Sequence, residues 1–246
     1  MRFALCGPGS PVRGRETMSA APKPGKWRDL APRLLSAIAM VAVGLGAVLS
    51  GHLAFTVLVV AVGLVGLWEL WRMARVKQAA GGFGPGDQPM LALYLVVLLL
   101  GCLGLISLSA EGGLALLLYA IGLVVVTDSL GYLVGKTLGG PKFWPRISPN
   151  KTWSGILGGW IGAMIFAYFT HPYMPEGFVR LWFFVTSAMV LSFASQLGDM
   201  LESALKRRMG VKDSSHIIPG HGGVLDRFDA LLAVGALYVI LATIFG

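Results

Sequence analysis

Acid is scarce in this chain. Only 12 of its 246 residues are Asp or Glu, and charged residues of both signs make up 13%. A soluble domain carries about 25% charge, so a protein that faces water on every side is excluded. Cysteine is scarcer still. Cys6 lies in a polar tail and Cys102 in an apolar run, which excludes a disulfide framework and a zinc site built on clustered thiols. Residues 1–32 lack an apolar h-region, so no cleaved signal peptide is expected. There is no Gly-x-x-x-x-Gly-Lys-Ser/Thr loop, no His-Glu-x-x-His and no detectable internal repeat.

What is abundant is oil. Hydrophobic residues make up 55% of the chain, and the mean hydropathy is +0.73. Apolar runs fall at about 33–50, 53–72, 90–109, 114–134, 153–170, 181–201 and 224–245. Each approaches the ~20 residues that a helix needs to cross a bilayer. The expected fold is all-α: a polytopic transmembrane helical protein of about seven spans with a cytoplasm-facing polar site. Residues 1–32 read as a disordered basic tail, in which Met18 is an alternative start. Residues 33–110 read as N-terminal transmembrane helices and 111–246 as a C-terminal catalytic transmembrane region.

The net charge of +8 in such a protein reports topology before it reports nucleic acid, and no nucleic-acid partner is expected. With the N-terminus in the cytoplasm, Lys and Arg number seven up to Arg33, three in 72–89, four in 135–152 and five in 202–229, leaving only Arg180 outside. That distribution follows the positive-inside rule. A multi-pass protein of the inner (cell) membrane follows, with its N-terminus and polar site cytoplasmic.

Polar residues inside the oily runs are the functional candidates. Asp128, in the fourth run, costs roughly 2.5–3.5 kcal/mol at mid-membrane unless it faces protein or water. Glu69, between Trp68 and Trp71, reads instead as a snorkelling acid in an interfacial aromatic belt. The loop 135–152 holds four basic residues and no acid. Its Asn150 resembles a helix cap, and its amides and Lys151 suit a phosphate. Asp199, Glu202, Ser203 and Lys206 share one helix face by their spacing. The stretch from Ser203 to Asp229 then crowds bases, acids, His216, His221 and four glycines into fewer than 30 residues.

That mixture suits a polyanion held by cations, metal and backbone amides. Asp199 and Asp226, with Asp229 one turn on, are hard oxygen donors suited to Mg²⁺. Lys206, Arg207, Lys212 and Arg227 supply charge for phosphates. The run Pro219-Gly220-His221-Gly222-Gly223 allows close backbone approach to a ligand. Acids and bases so interleaved point to phosphoryl or nucleotidyl transfer.

The pattern Ser203-x-x-Lys206-Arg207, Lys212-Asp213, Pro219-x-His221-Gly222-Gly223 and Asp226-Arg227-x-Asp229 resembles the signature of phosphatidate cytidylyltransferases. Ser195-Gln196-x-Gly198-Asp199-x-x-Glu202, Asp128-Ser129 and Ser148-Pro149-x-Lys151-Thr152 resemble that family too, so the likeness covers about 120–246. Ser215 departs from the family's usual small residue. Ser154 and Asn150 stand where the family often has an acid and a second Lys, and neither is expected in the site.

The resemblance implies that CTP and phosphatidic acid give CDP-diacylglycerol and pyrophosphate with Mg²⁺. It implies that Asp199 and Asp226 hold metal, with a second cation as an open question, and that Asp229, Asp213 and Asp128 support them. Lys206, Arg207, Lys212 and Arg227 would bind phosphates. Lys151 and Thr152 would help to hold nucleotide or lipid phosphate, and Ser203, His221, Gly222 and Gly223 belong to the same substrate-binding set. Membrane lipid is a partner by implication, and a homodimer is an expectation from the frequency of symmetric pairs. The nearest alternative is a CTP-dependent lipid-alcohol kinase. One from another class, an ion-coupled transporter, is disfavoured because the polar residues gather on one side.

Overall fold

A computed structural model describes residues 30–175 and 179–245. The first 29 residues, with Cys6 and Met18, lie outside the described residues. Seven long helices follow in order: α1 (Leu30–Leu49), α2 (His52–Ala79), α3 (Asp87–Glu111), α4 (Gly113–Leu138), α5 (Trp153–Thr170), α6 (Leu181–Met209) and α7 (Leu225–Phe245). Six of them, α2 to α7, are long and apolar enough to cross a membrane, and α1 has a shorter apolar stretch, Leu34–Leu49. Leu, Val, Ile and aromatic side chains stand exposed along these helices, as they do where lipid is the solvent. The chain is a multi-pass, all-α membrane protein.

The apolar runs mark the helices, but the polar flanks are helical for longer than expected. Helix α2 continues through Arg72, Arg75 and Lys77 to Ala79, beyond the apolar run that ends at about residue 72. Arg72 and Lys77 find partners off the helix, and tertiary contacts of this kind carry a helix past the end of its oily part. Helix α6 has 29 residues, about 43 Å at 1.5 Å per residue. That exceeds a ~30 Å hydrocarbon core, so its Asp199–Met209 end stands at or beyond the bilayer surface.

The expected 135–152 loop is also more ordered. Residues Lys142–Trp144 (β1) and Ser148–Thr152 (β2) pair as an antiparallel hairpin, the only sheet among the described residues. The cap of α5 is Thr152, whose hydroxyl accepts from the Gly155 amide at 3.2 Å. Asn150 sits inside β2 and caps nothing, because the extended backbone runs two residues further.

Two helix pairs pack backbone to backbone. A Cβ on Gly155 of α5 would lie 2.6 Å from the Gly131 carbonyl oxygen of α4. A Cβ on Gly101 of α3 would lie 2.5 Å from the Leu232 carbonyl oxygen of α7, and one on Gly235 would lie 2.5 Å from that of Gly101. Small residues permit this approach where no hydrophobic force separates helix from lipid. The main core joins α2, α3, α6 and α7 through Met73, Tyr94, Leu98, Leu205, Met209, Leu225 and Leu232. It sits beneath the polar end of α6 and sets the position of that helix relative to the start of α7.

Candidate functional site

The polar end of α6 and the first turn of α7 form the centre. Asp199, Glu202 and Asp229 each present a carboxylate oxygen, and the three oxygens lie within 4.8 Å of one another. Glu202 is 1% exposed, and its Oε1 has no hydrogen-bond partner among the described residues. Such an atom is costly to leave unmet. A trio of hard oxygen donors that includes a buried carboxylate with one unpaired oxygen fits a divalent cation of the magnesium type.

Two lysines bracket this trio. Lys206 Nζ donates to Glu202 Oε2 at 2.7 Å and to Asp226 Oδ1 at 2.5 Å, with its side chain 15% exposed. Lys151, from β2, lies 2.5 Å from Asp199 Oδ2 and donates to the Gln196 carbonyl at 3.2 Å. On the Lys151 side a cavity of about 570 Å³ opens between α4, α5, α6 and the hairpin. Asp128, Lys136, Lys142, Asn150, Lys151, Thr152 and Asp199 are among its lining residues. Asp128 is exposed there, while its neighbour Thr127 is buried and donates to Ser192.

The loop 210–224 closes the other side. Asp226 Oδ2 accepts from the Ser214 amide, the Ser214 hydroxyl and the Gly223 amide at 3.0, 3.0 and 2.7 Å. Both oxygens of Asp226 are thus engaged within the protein, and Asp226 stands outside the carboxylate trio. Arg227 donates from Nε and Nη2 to the His221 carbonyl at 3.0 and 2.8 Å. His221 Nδ1 meets the Ser36 hydroxyl of α1 at 2.7 Å. Arg207 reaches the Ile147 carbonyl of the hairpin. Lys212 is exposed, Ser203 is half-buried on α6, and Asp213 is half-buried beside Gly222. The close approach that Gly222 and Gly223 permit is to the chain's own acids. A Cβ on Gly222 (φ +86°) would meet Asp226 Oδ2 at 2.6 Å, and one on Gly223 would overlap Ser214 and Glu69.

Sequence reasoning placed Glu69 wrongly. It is no snorkelling surface acid: it is 0% exposed. Its Oε1 accepts from the Ser215 hydroxyl at 2.5 Å and the Val224 amide at 2.9 Å, and its Oε2 from the Ser214 hydroxyl at 3.0 Å and the Leu225 amide at 2.8 Å. Trp68 and Trp71 are exposed as an aromatic belt should be. At 100° per residue, however, they lie about 60° apart, with Glu69 about 100–160° away from them. Glu202 was visible as part of the α6 face but not as a donor in the trio. Asn150, set aside on the sequence, lines the cavity.

The family described as "Cytidylyltransferase family" matches residues 86–245. A Staphylococcus aureus (strain COL) protein named phosphatidate cytidylyltransferase is 45% identical over 129 residues, covering 52% of this chain and 49% of the relative. A Brucella abortus biovar 1 protein of the same name is 43% identical over 135 residues, covering 54% and 48%. The chain spans about half the length of the curated relatives it matches.

Proposed function

We propose, from the premise that this chain belongs to the cytidylyltransferase family, that it transfers the cytidylyl group of CTP to phosphatidic acid. The products are CDP-diacylglycerol and pyrophosphate, and the setting is phospholipid biosynthesis. The observation that carries the reading is the Asp199–Glu202–Asp229 trio, bracketed by Lys206 and Lys151, with Asp199 and Lys151 lining a cavity that Asp128, Lys136 and Lys142 also line.

A phosphate oxygen of phosphatidic acid attacks the α-phosphorus of CTP. The new P–O bond forms as the bond to the β-phosphate's bridging oxygen breaks, and pyrophosphate leaves with that electron pair. The nucleophile is already an anion at neutral pH, so no general base is required. Asp199, Glu202 and Asp229 would hold Mg²⁺, and when bound the ion neutralises charge on the triphosphate and the leaving group. Asp226 keeps Lys206 in place. Asp128 and Asp213 support the cluster from the cavity and the loop. Lys206, Lys151, Arg207, Lys212 and Arg227 screen phosphate charge, with Lys206 held in position by Glu202 and Asp226. Thr152 fixes the start of α5 beneath Lys151, and Ser203 and His221–Gly223 frame the approach. The active site opens to the cytoplasm in this reading, which the distribution of basic residues supports, so a soluble nucleotide meets a membrane lipid there.

The test uses the full chain in detergent with phosphatidic acid, CTP labelled in its α-phosphate, and Mg²⁺. Label in the lipid phase with equimolar pyrophosphate, both lost with EDTA and in Asp199→Asn, is the expected result. A lipid alcohol labelled from γ-labelled CTP, with no pyrophosphate, would replace the transferase with a kinase.

A further inference from the structure

Helix α2 contributes nothing to the trio or to the cavity, yet it holds the active-site loop by a buried acid. Four donor groups lie against Glu69, two on each oxygen, which matches the acceptor sites of one ionised carboxylate; the Ser214 hydroxyl among them shares its proton with Asp226. Two are amides at the start of α7, which have no partner within that helix and favour a negative charge. One turn along α2, Arg72 Nη1 donates to the Ser214 carbonyl at 2.7 Å. Ser214 is therefore gripped at both its hydroxyl and its carbonyl.

The grip continues to the site. The Ser214 hydroxyl has one proton and lies 3.0 Å from both Glu69 Oε2 and Asp226 Oδ2. Asp226 in turn accepts from Lys206. Glu69 is thus joined to Lys206 through two intervening residues, Ser214 and Asp226.

We infer that Glu69 is a positioning residue: through Ser214, the α2 carboxylate sets Asp226 against Lys206 and fixes the loop at the start of α7. Its effect on turnover rests on the cytidylyl-transfer reading, whereas its hold on the loop rests on geometry alone.

The diagnostic variant is Glu69→Gln. A carboxamide has one acceptor oxygen, and both sides of the site carry a backbone amide that can only donate. Whichever way the Gln lies, its NH₂ faces either Val224 N–H or Leu225 N–H. Glu69→Asp keeps two acceptor oxygens on a shorter stem.

The full chain is compared with its variants in detergent for kcat and KM, thermal stability, and hydrogen exchange of the segment 211–226. Glu69→Gln is expected to fold, to exchange that segment at least tenfold faster, and to lose at least tenfold in kcat with KM for CTP within twofold of the parent. Glu69→Asp recovers part of the kcat. Parental kcat in folded Glu69→Gln overturns the inference, as does lowered stability with parental kcat per folded molecule, which would make Glu69 an anchor only. If Glu69→Gln does not fold, Ser215→Ala decides. That change removes one of the four donors and leaves the Asp226 contacts intact. A several-fold loss of kcat with faster exchange supports the inference, and parental behaviour in both overturns it. If the parent protein turns over no phosphatidic acid, the functional reading falls, and exchange in the variants alone decides whether Glu69 holds the loop.

Discussion

Replacing Lys206 by Met tests the electrostatic logic of the centre. Lys206 is the cation between Glu202, 1% exposed, and Asp226, whose side chain is 6% exposed. Methionine keeps most of the stem's volume, so the change removes charge with little cavity cost. Removing one partner of a buried ion pair costs about 3–5 kcal/mol. Asp226 Oδ2 keeps the Ser214 and Gly223 amides and a share of the Ser214 hydroxyl, so the larger share falls on Glu202, whose other oxygen is already unpaired. The expected loss is about 3–5 kcal/mol without divalent cation.

A cation bound by Asp199, Glu202 and Asp229 would meet the same unpaired charge. At 100 times its dissociation constant a ligand adds about 2.7 kcal/mol, and the variant's more negative site binds it more tightly than the parent's. The deficit of Lys206→Met should therefore shrink on adding Mg²⁺. The assay is reversible unfolding in mixed detergent micelles, with Mg²⁺ and with EDTA. Stability within about 0.5 kcal/mol of the parent in EDTA, the ordinary range for surface changes, would refute the charge argument. An unchanged deficit in Mg²⁺ would refute the assignment of the trio as a cation site.

Two further perturbations test the scaffold. Gly155→Ala would force α4 and α5 apart, since its methyl lies 2.6 Å from the Gly131 carbonyl oxygen. An overpacking loss of about 1–3 kcal/mol is expected, and unaltered unfolding would show that the helices yield freely. Thr152→Ala removes the α5 cap and should cost about 1 kcal/mol. Thr152→Ser should restore it, and equal stability of all three proteins would dismiss the cap.

The helices were legible because lipid imposes a crude rule: a span must be long and oily. Six of the seven helices obey it, and α1, read as a seventh span, has only the shorter apolar stretch Leu34–Leu49. The α6 face was legible for a similar reason, since offsets of 3 and 4 bring Asp199, Glu202 and Lys206 together on any helix. What escaped was tertiary. Glu69 has partners 145 to 156 positions away, and local pattern offers only its tryptophan neighbours. Asp226 looked like a free metal ligand beside Asp229. Neither its spacing nor its type shows that three donors from the 214–223 segment occupy one of its oxygens. Asn150 and Thr152 are both plausible caps by residue type, and only the length of β2 separates them.

The hold of Glu69 on the 214–225 segment also has a consequence in time. A chain made from its N-terminus delivers α2 long before the residues that enclose its acid. The Leu225 amide follows Glu69 by 156 residues, roughly 8–30 s of synthesis at 5–20 residues per second. For that interval the carboxylate must stay hydrated, which holds the α2 end carrying it at the water boundary while four more helices are made. Arrival of α7 then withdraws the acid from water and brings Asp226 and Asp229 to the polar end of α6, so a nascent chain stopped before residue 225 carries Asp199, Glu202 and Lys206 on α6 without the third carboxylate of the trio or the Asp226 partner of Lys206.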